Sequence, residues 1–133
     1  MPLAPVDIIA IEQLYAAYNF AADHGDGKGF ADCFTPDGVF DAGGSRTEGS
    51  DALVEAGNAI PLVIPGSRHV SNNLLIQGEG DLATGRAYLT LFATRSSPIS
   101  IMMTGQYEDR LVRSGDGWRF AERKFTPDSP GAQ

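Results

Sequence analysis

The chain has little of several residue types that define whole classes of protein. It carries one cysteine, Cys33, in 133 residues, so no disulfide can form within it, and a reducing compartment is indicated. No apolar stretch approaches the roughly 20 residues of a membrane span. The first residues lack the basic and apolar regions of a signal peptide, and no basic run would hold the chain to an anionic membrane. We therefore expect a cytoplasmic protein that binds no membrane.

Basic residues are also scarce. Acidic residues number 17 against 10 basic ones, for a formal net charge of −7. An acidic chain repels phosphate backbones, so nucleic-acid binding is disfavoured. The length fits a single domain, and the apolar fraction of 42% is ordinary for a globular protein. We expect one domain over residues 1–133, ordered over about 6–128 and followed by a loose tail at 129–133.

The first half of the chain predicts three helices. Apolar residues at 3-4 spacing predict a helix over residues 7–23, with Gly25 as its stop. Asp26 is a suitable N-cap for a second, short helix, and the segment 35–38 is typical of a turn. A short strand at Val39 and a third helix capped by Ser50 are expected to follow.

The second half predicts strands over residues 68–77, 82–94, 99–113 and 118–125, separated by short glycine-rich turns. Such short connections indicate antiparallel neighbours. Helices followed by a meander of strands form an α+β pattern. If the sheet curls, the space between it and the first helix becomes a pocket.

Few residues in this pattern could carry chemistry. His69 is the only histidine in a predicted strand, and alternation places Ser71, Asn73 and Leu75 on its face. Such a half-polar row either faces solvent or lines a pocket, and alternation alone favours solvent. Cys33 lies on the apolar face of the second helix, which indicates a core residue rather than a nucleophile. The segment 23–26 matches no zinc or calcium spacing, so no metal site is predicted.

Five short motifs follow one another along the chain: Tyr18-x-x-x-x-Asp23-x-x-Asp26, Phe34-x-x-Asp37-Gly38, Arg68-His69-x-x-Asn72-Asn73, Gly105-x-Tyr107-x-Asp109 and Gly117-Trp118-Arg119-Phe120-x-x-Arg123. Together they resemble the SnoaL-like branch of the NTF2-like superfamily, over about residues 6–128. The resemblance implies an α+β fold, an NTF2-like or cystatin-like cone. In it, three N-terminal helices pack on a curved, mainly antiparallel sheet and enclose a pocket.

Within this superfamily the chain is similar to scytalone dehydratase and to hexachlorocyclohexane dehydrochlorinase. The resemblance implies that Asp23 and His69 form a catalytic dyad, that the His69 row faces the pocket, and that no cofactor is required. The chain departs from scytalone dehydratase in two respects. It has no second histidine on a strand, and Ala22 rather than a tyrosine precedes Asp23. Scytalone is therefore a doubtful substrate.

The resemblance also implies a pocket lined by further side chains that would suit a small hydrophobic or aromatic molecule. The predicted lining is Tyr18, Asn19, Phe40, Asn73, Tyr88, Met103 and Trp118. The expected activity is that of a lyase or isomerase that abstracts a proton. A non-catalytic binding protein and an association subunit, like the β subunit of ring-hydroxylating dioxygenases, remain open, because a fold does not settle a function.

The late strands are rich in apolar residues, and both of their faces cannot lie in the core of one small domain. The residues concerned are Leu89, Leu91, Ile99, Ile101 and Met103. We expect a homo-oligomer, a dimer or trimer, that forms through the sheet.

Overall fold

The computed structural model describes residues 1–129, so the tail expected at 129–133 lies, apart from Ser129, outside the described residues. No helix in the described part of the chain is both long and apolar enough to cross a membrane. The elements in chain order are α1 (Pro5–His24), α2 (Gly27–Asp32), β1 (Phe34–Ala42), β2 (Ser45–Glu48), α3 (Ser50–Val63), β3 (Ser67–Glu79), β4 (Leu82–Ala93), β5 (Ser100–Ser114) and β6 (Gly117–Pro127).

Helix α1 follows the predicted apolar stripe. Ile11, Tyr15 and Tyr18 are buried against the sheet, as one face of an amphipathic helix should be. The helix begins two residues earlier than predicted because Pro5 is suited to the first turn. It ends at Gly25, whose φ of 67° is the left-handed conformation of a helix C-cap, so the predicted stop is confirmed.

The other helices confirm one predicted cap and correct another. Asp26 caps α2 and accepts a hydrogen bond of 2.9 Å from the Gly29 N–H. The prediction that Ser50 caps α3 is wrong, because Gly49 occupies the cap position and the Ser50 hydroxyl donates to the Pro36 carbonyl instead. The turn predicted at 35–38 lies within β1, where the pairing register shifts.

The six strands form one curved, open, mixed sheet in the order β2-β1-β6-β5-β4-β3. Pairing is antiparallel except between β1 and β6, which run parallel. The four long strands confirm the predicted bounds to within two residues at each end. Strand β2 was not predicted, because its four residues are polar and show no apolar alternation. The helices lie on one face of the sheet, so the predicted α+β fold is confirmed.

A bulge in β3 reverses the alternation that the sequence implied. Asn73 has a φ of 57°, and the register to β4 shifts between Asn72 and Leu75. One extra residue moves every later side chain to the other face. Leu74 therefore packs against the core with Ile76, whereas Leu75 is 53% exposed. The prediction that Asn73 and Leu75 share the face of His69 is wrong.

The core contains a fully buried ion pair. The Arg123 Nε donates to Asp109 Oδ1 at 3.0 Å, and neither side chain is exposed. The Tyr15 hydroxyl donates to the other oxygen of Asp109. The Arg123 guanidinium carbon lies 3.4 Å from the centre of the Tyr107 ring and 4.3 Å from that of Tyr18. Cation–π contact with these rings stabilises a charge that water cannot reach.

Burial alone would lower the pKa of the Arg123 guanidinium, but Asp109 and the surrounding tyrosines outweigh it and raise that pKa. Burial also raises the pKa of the Tyr15 and Tyr18 hydroxyls. Arg123 is therefore a permanent cation, and both tyrosines are neutral hydrogen-bond donors. Together these side chains occupy the space between α1 and the central strands, where the sequence predicted a pocket.

We expect Asp109→Asn to lower the free energy of unfolding by about 3–5 kcal/mol, because it leaves the Arg123 charge buried without a counter-charge. The measurement is urea denaturation. Asp116→Asn is the matched control, since Asp116 forms an exposed ion pair with Arg119, and it should cost less than about 1 kcal/mol. Equal, small losses in the two variants would contradict the role assigned to the buried pair.

Candidate functional site

The site is centred on a contact between the last turn of α1 and the edge strand β3. The Asp23 Oδ1 lies 2.6 Å from the His69 Nδ1, and the two side chains are 7% and 9% exposed. The backbone N–H of His69 also donates to the Asp23 carboxylate, at 3.0 and 3.2 Å to its two oxygens. The hydrogen bond predicted between Asp23 and His69 is therefore present.

The fold explains why the two residues meet. Strand β3 is at the edge of the sheet, so the N–H groups on its free side lack strand partners. One of these is the N–H of His69, and Asp23 lies beside it because α1 packs along β3. The Asp23 carboxylate therefore accepts the hydrogen bond of an edge-strand N–H that has no strand partner, and it also orients the imidazole of the same residue.

This geometry sets the chemical role of each imidazole nitrogen. A carboxylate accepts hydrogen bonds, so the His69 Nδ1 carries the proton. The Nε2 is then the unprotonated nitrogen, and it has no hydrogen-bond partner within residues 1–129. An imidazole held in this way can take a proton at Nε2 while Asp23 stabilises the positive charge that results.

The dyad opens into a cleft of about 450 Å³, with a smaller groove of about 260 Å³ continuing it along α1. Asn19, Phe20, His69 and Val70 line both, so the two form one depression between α1 and the edge of β3. The other residues lining the cleft are Asp23, Arg68, Phe92, Thr94 and Ile99. Most of these walls are apolar, which suits an organic molecule with few polar groups.

Asn19 is the predicted binding residue that the structure places in the cleft. It lies one helical turn before Asp23, and its Nδ2 donates to the Ser71 hydroxyl at 3.1 Å. Its Oδ1 is buried and has no partner among the described residues. A buried, unpaired oxygen is costly unless a ligand or water donates to it.

The other predicted lining residues do not line this cleft. Tyr18 and Phe40 belong to an aromatic cluster in the core, since each packs against the other and against Phe30. Trp118 is buried near the opposite end of α1, where its Nε1 donates to Asp7. Tyr18, Phe40 and Trp118 therefore lie in the core and not in the lining of the dyad cleft.

The other three predicted lining residues, Asn73, Tyr88 and Met103, lie outside the cleft because of the geometry of their strands. Asn73 lies at the bulge and, with Tyr88, lines a shallow depression on the outer face of the sheet. Tyr88 is 51% exposed there. Met103 pairs with Leu91, which pairs with His69, so it shares the face of His69. It lies two strands away, at roughly 10 Å, and is not among the residues lining the cleft.

Two other candidate groups do not form sites. Burial raises the pKa of the Cys33 thiol to about 11, so the thiol is protonated and unreactive near neutral pH. Within residues 1–129, no group of three or more His, Cys, Asp or Glu side chains could hold a metal ion. Asp26 of the acidic segment 23–26 serves as a helix cap.

Sequence reasoning missed several residues of the site. Phe20 lies off the apolar stripe of α1, and Phe92 alternates away from the buried row of β4, so nothing in the periodicity marked either. Arg68 could have been noticed because it precedes His69 in a motif. Arg123 is the buried cation of the core, and alternation could not mark it. Trp118 and Phe120 would place position 123 on the outer face, but the register shift between Phe120 and Glu122 turns Arg123 inward.

A family model described as a SnoaL-like domain matches residues 6–124. No curated protein matches the chain. Among solved structures, a variant of Rv3472, a protein of unknown function from Mycobacterium tuberculosis, is 35% identical with a TM-score of 0.86. The alignment covers 94% of this chain and 76% of that one.

Two further structures are similar. A protein of unknown function with a cystatin-like fold from Nostoc punctiforme is 25% identical, with a TM-score of 0.89 and 96% of each chain covered. A protein from Catenulispora acidiphila, solved in complex with S-DNPA, is 30% identical with a TM-score of 0.80. That alignment covers 91% of this chain and 92% of the other.

We expect neutral His69 to exist as the Nδ1–H tautomer, which long-range ¹⁵N–¹H NMR correlations report directly. In Asp23→Asn the single amide oxygen is shared between the backbone N–H and the ring, so the Nε2–H tautomer should become populated. His24, exposed at the end of α1, is the internal reference in the same spectra. An unchanged His69 tautomer in the variant would contradict the orienting role of Asp23.

Proposed function

The chain belongs to the SnoaL-like domain family, and we propose that it is a cofactor-independent lyase or isomerase that abstracts a proton from a small hydrophobic or aromatic substrate. The Nε2 of His69 removes a proton from carbon beside an electron-withdrawing group. Asp23 holds the Nδ1 proton and stabilises the imidazolium. Loss of water or halide from the neighbouring carbon, or return of the proton to another carbon, completes the cycle.

The observation that carries the proposal is the 2.6 Å contact between Asp23 and His69 at the base of an apolar cleft. An imidazole anchored on one side and free on the other is the arrangement that general-base catalysis requires. Both side chains are over nine-tenths buried, and the low local dielectric strengthens their coupling.

The surroundings support a small organic substrate. Phe20, Val70 and Phe92 provide apolar walls, and Asn19 adds a polar amide side chain to the lining. A relative solved in complex with S-DNPA supports a small-molecule ligand in this fold. Because Phe20 is 68% exposed, a ligand against it would also cover apolar surface that now faces water.

A non-catalytic binding protein is the second candidate. It is favoured by the fact that Asp23 and His69 satisfy each other's hydrogen bonds, which a polar pocket wall also requires. The two candidates predict different effects of replacing His69. An enzyme loses turnover, whereas a binding protein has no turnover to lose.

We expect His69→Ala to lower the rate of substrate proton exchange with deuterated solvent by about 10²–10⁴-fold, since it removes the general base. Asp23→Asn should reduce the rate comparably. His24→Ala is the matched control and should leave the rate unchanged, because the His24 side chain hydrogen-bonds the Phe20 carbonyl and is not in the lining of the cleft. The assay needs a panel of hydrophobic hydroxyketones, halides and enones. Exchange that persists unchanged in His69→Ala would rule out this histidine as the base.

We also propose that the protein is a homo-oligomer that forms through the outer face of the sheet. Leu89 and Leu91 are two of the apolar residues from which the sequence predicted an oligomer, but both are buried in the core. The outer face nevertheless carries exposed apolar side chains, including Tyr88 at 51% and Ile101 at 60%. A second copy that pairs the same face would remove this surface from water.

We expect Tyr88→Glu to convert the oligomer into a monomer, because it places a charge in the centre of the proposed interface. Sedimentation velocity at several concentrations measures this. Leu62→Glu is the matched control, since Leu62 is 81% exposed on α3, away from the sheet, and it should not change the assembly. A wild-type protein that is monomeric at high micromolar concentration would contradict the proposal.

A further inference from the structure

Most basic side chains of this acidic protein form ion pairs with carboxylates, but a few have no partner. Six of the ten form ion pairs with carboxylates, and Arg86 bonds the Gln106 amide. Within residues 1–129, the side chains of Arg68, Arg95 and Lys124 have no hydrogen-bond or ion-pair partner. Since acidic residues outnumber basic ones, an unpaired arginine is not explained by a shortage of carboxylates.

Two of these three unpaired cations lie at the dyad cleft. Arg68 directly precedes His69 and lines the cleft. The stem of Arg95 packs over Gly66, where an added Cβ would come within 2.5 Å of the Arg95 Cγ. Arg95 also follows Thr94, which lines the cleft and whose hydroxyl donates to the Gly66 carbonyl at 2.6 Å. Arg68 and Arg95 are therefore two exposed, unpaired cations at one end of the cleft, Arg68 in its lining and Arg95 next to the lining residue Thr94.

The carboxylates nearby do not neutralise this charge. Among residues 1–129, Asp23 is the only carboxylate in the lining of the cleft itself, and it is bonded to the His69 ring and backbone. Glu12 lines the groove that continues the cleft along α1 and forms no ion pair with Arg68 or Arg95. The other walls are apolar or carry amide and hydroxyl groups. The cleft therefore combines apolar walls and a base with a free cation at its margin.

We propose that Arg68 is a specificity-determining residue that selects a substrate bearing a carboxylate on an otherwise apolar body, with Arg95 adding to the attraction. The carboxylate is a handle rather than the activating group, because removing a proton beside it would place two negative charges on adjacent atoms. A guanidinium binds a carboxylate through two parallel hydrogen bonds, which fixes orientation as well as adding affinity. Binding energy at this remote group positions the reacting carbon over His69.

The inference rests on the proposed function only in placing the substrate in the dyad cleft, and it is tested by affinity rather than turnover. The probes are 2-naphthoate and 2-naphthamide, which share ring and size and differ in charge. Isothermal titration calorimetry with the whole protein measures both. We expect wild type to bind the carboxylate about 10–100-fold more tightly, as a charge-assisted hydrogen bond should provide.

Four variants make the test specific. Arg68→Gln should abolish the preference for the carboxylate, and Arg68→Lys should retain part of it because the charge remains. Arg86→Gln is the matched control on the outer face of the sheet and should retain the full preference. His24→Ala should also retain it, because His24 is not in the lining of the cleft. Failure of the proton-exchange experiment would leave this result unaffected.

Three results would overturn the proposal. One is that wild type does not bind 2-naphthoate at millimolar concentration, or binds it no better than the amide. The second is a preference that persists in Arg68→Gln or disappears equally in Arg86→Gln. The third is tighter, Arg68-dependent binding of naphthyl phosphate, which would assign the cleft to a different anion.

Discussion

The buried ion pair between Arg123 and Asp109 connects α1 to the sheet. Asp109 on β5 accepts the Tyr15 hydroxyl of α1, while the Arg123 guanidinium on β6 lies against the ring of Tyr18, three residues further along the same helix. Two positions of α1 are thereby fixed against two central strands. Removing two charges from water is expensive, and this cost is offset only if their geometry and hydrogen bonds are kept. The helix therefore has little freedom to slide or turn over the sheet.

The position of the dyad follows from that constraint. Asp23 lies five residues after Tyr18, so a helix fixed at Tyr15 and Tyr18 carries its carboxylate to the free edge of β3. There it meets both the backbone N–H and the ring of His69. The side chains that fix the helix also fill the interior of the cone, which leaves the depression beside the dyad open along the sheet edge. The core thus preorganises the dyad and places the cleft at the margin of the fold, beside the unpaired Arg68.

The sequence predicted the elements better than the lining of the site. The apolar stripe of α1 and the alternation of the four long strands predicted five of the nine elements closely. The motifs that resemble SnoaL-like proteins predicted that Asp23 and His69 lie together. The bulge at Asn73 could not be predicted from alternation, and it moved Asn73 away from the dyad. Tyr18 and Trp118 were assigned to a pocket because large aromatic side chains suit both a core and a ligand site, and only packing distinguishes them. Asn19 does line the cleft, because it lies one helical turn before Asp23 on the same helix.

The central claim is that the Nε2 of His69 is an available base that faces an apolar cleft, and reaction with 2-bromoacetophenone tests it without knowledge of the substrate. The imidazole nitrogen displaces bromide and forms a stable N–C bond, which peptide mapping by mass spectrometry locates. His24 provides the comparison, because it is an exposed histidine on the same chain. The account predicts that His69 is alkylated faster than His24, at Nε2, and that Asp23→Asn slows this reaction. Alkylation of His24 while His69 remains unmodified would contradict it.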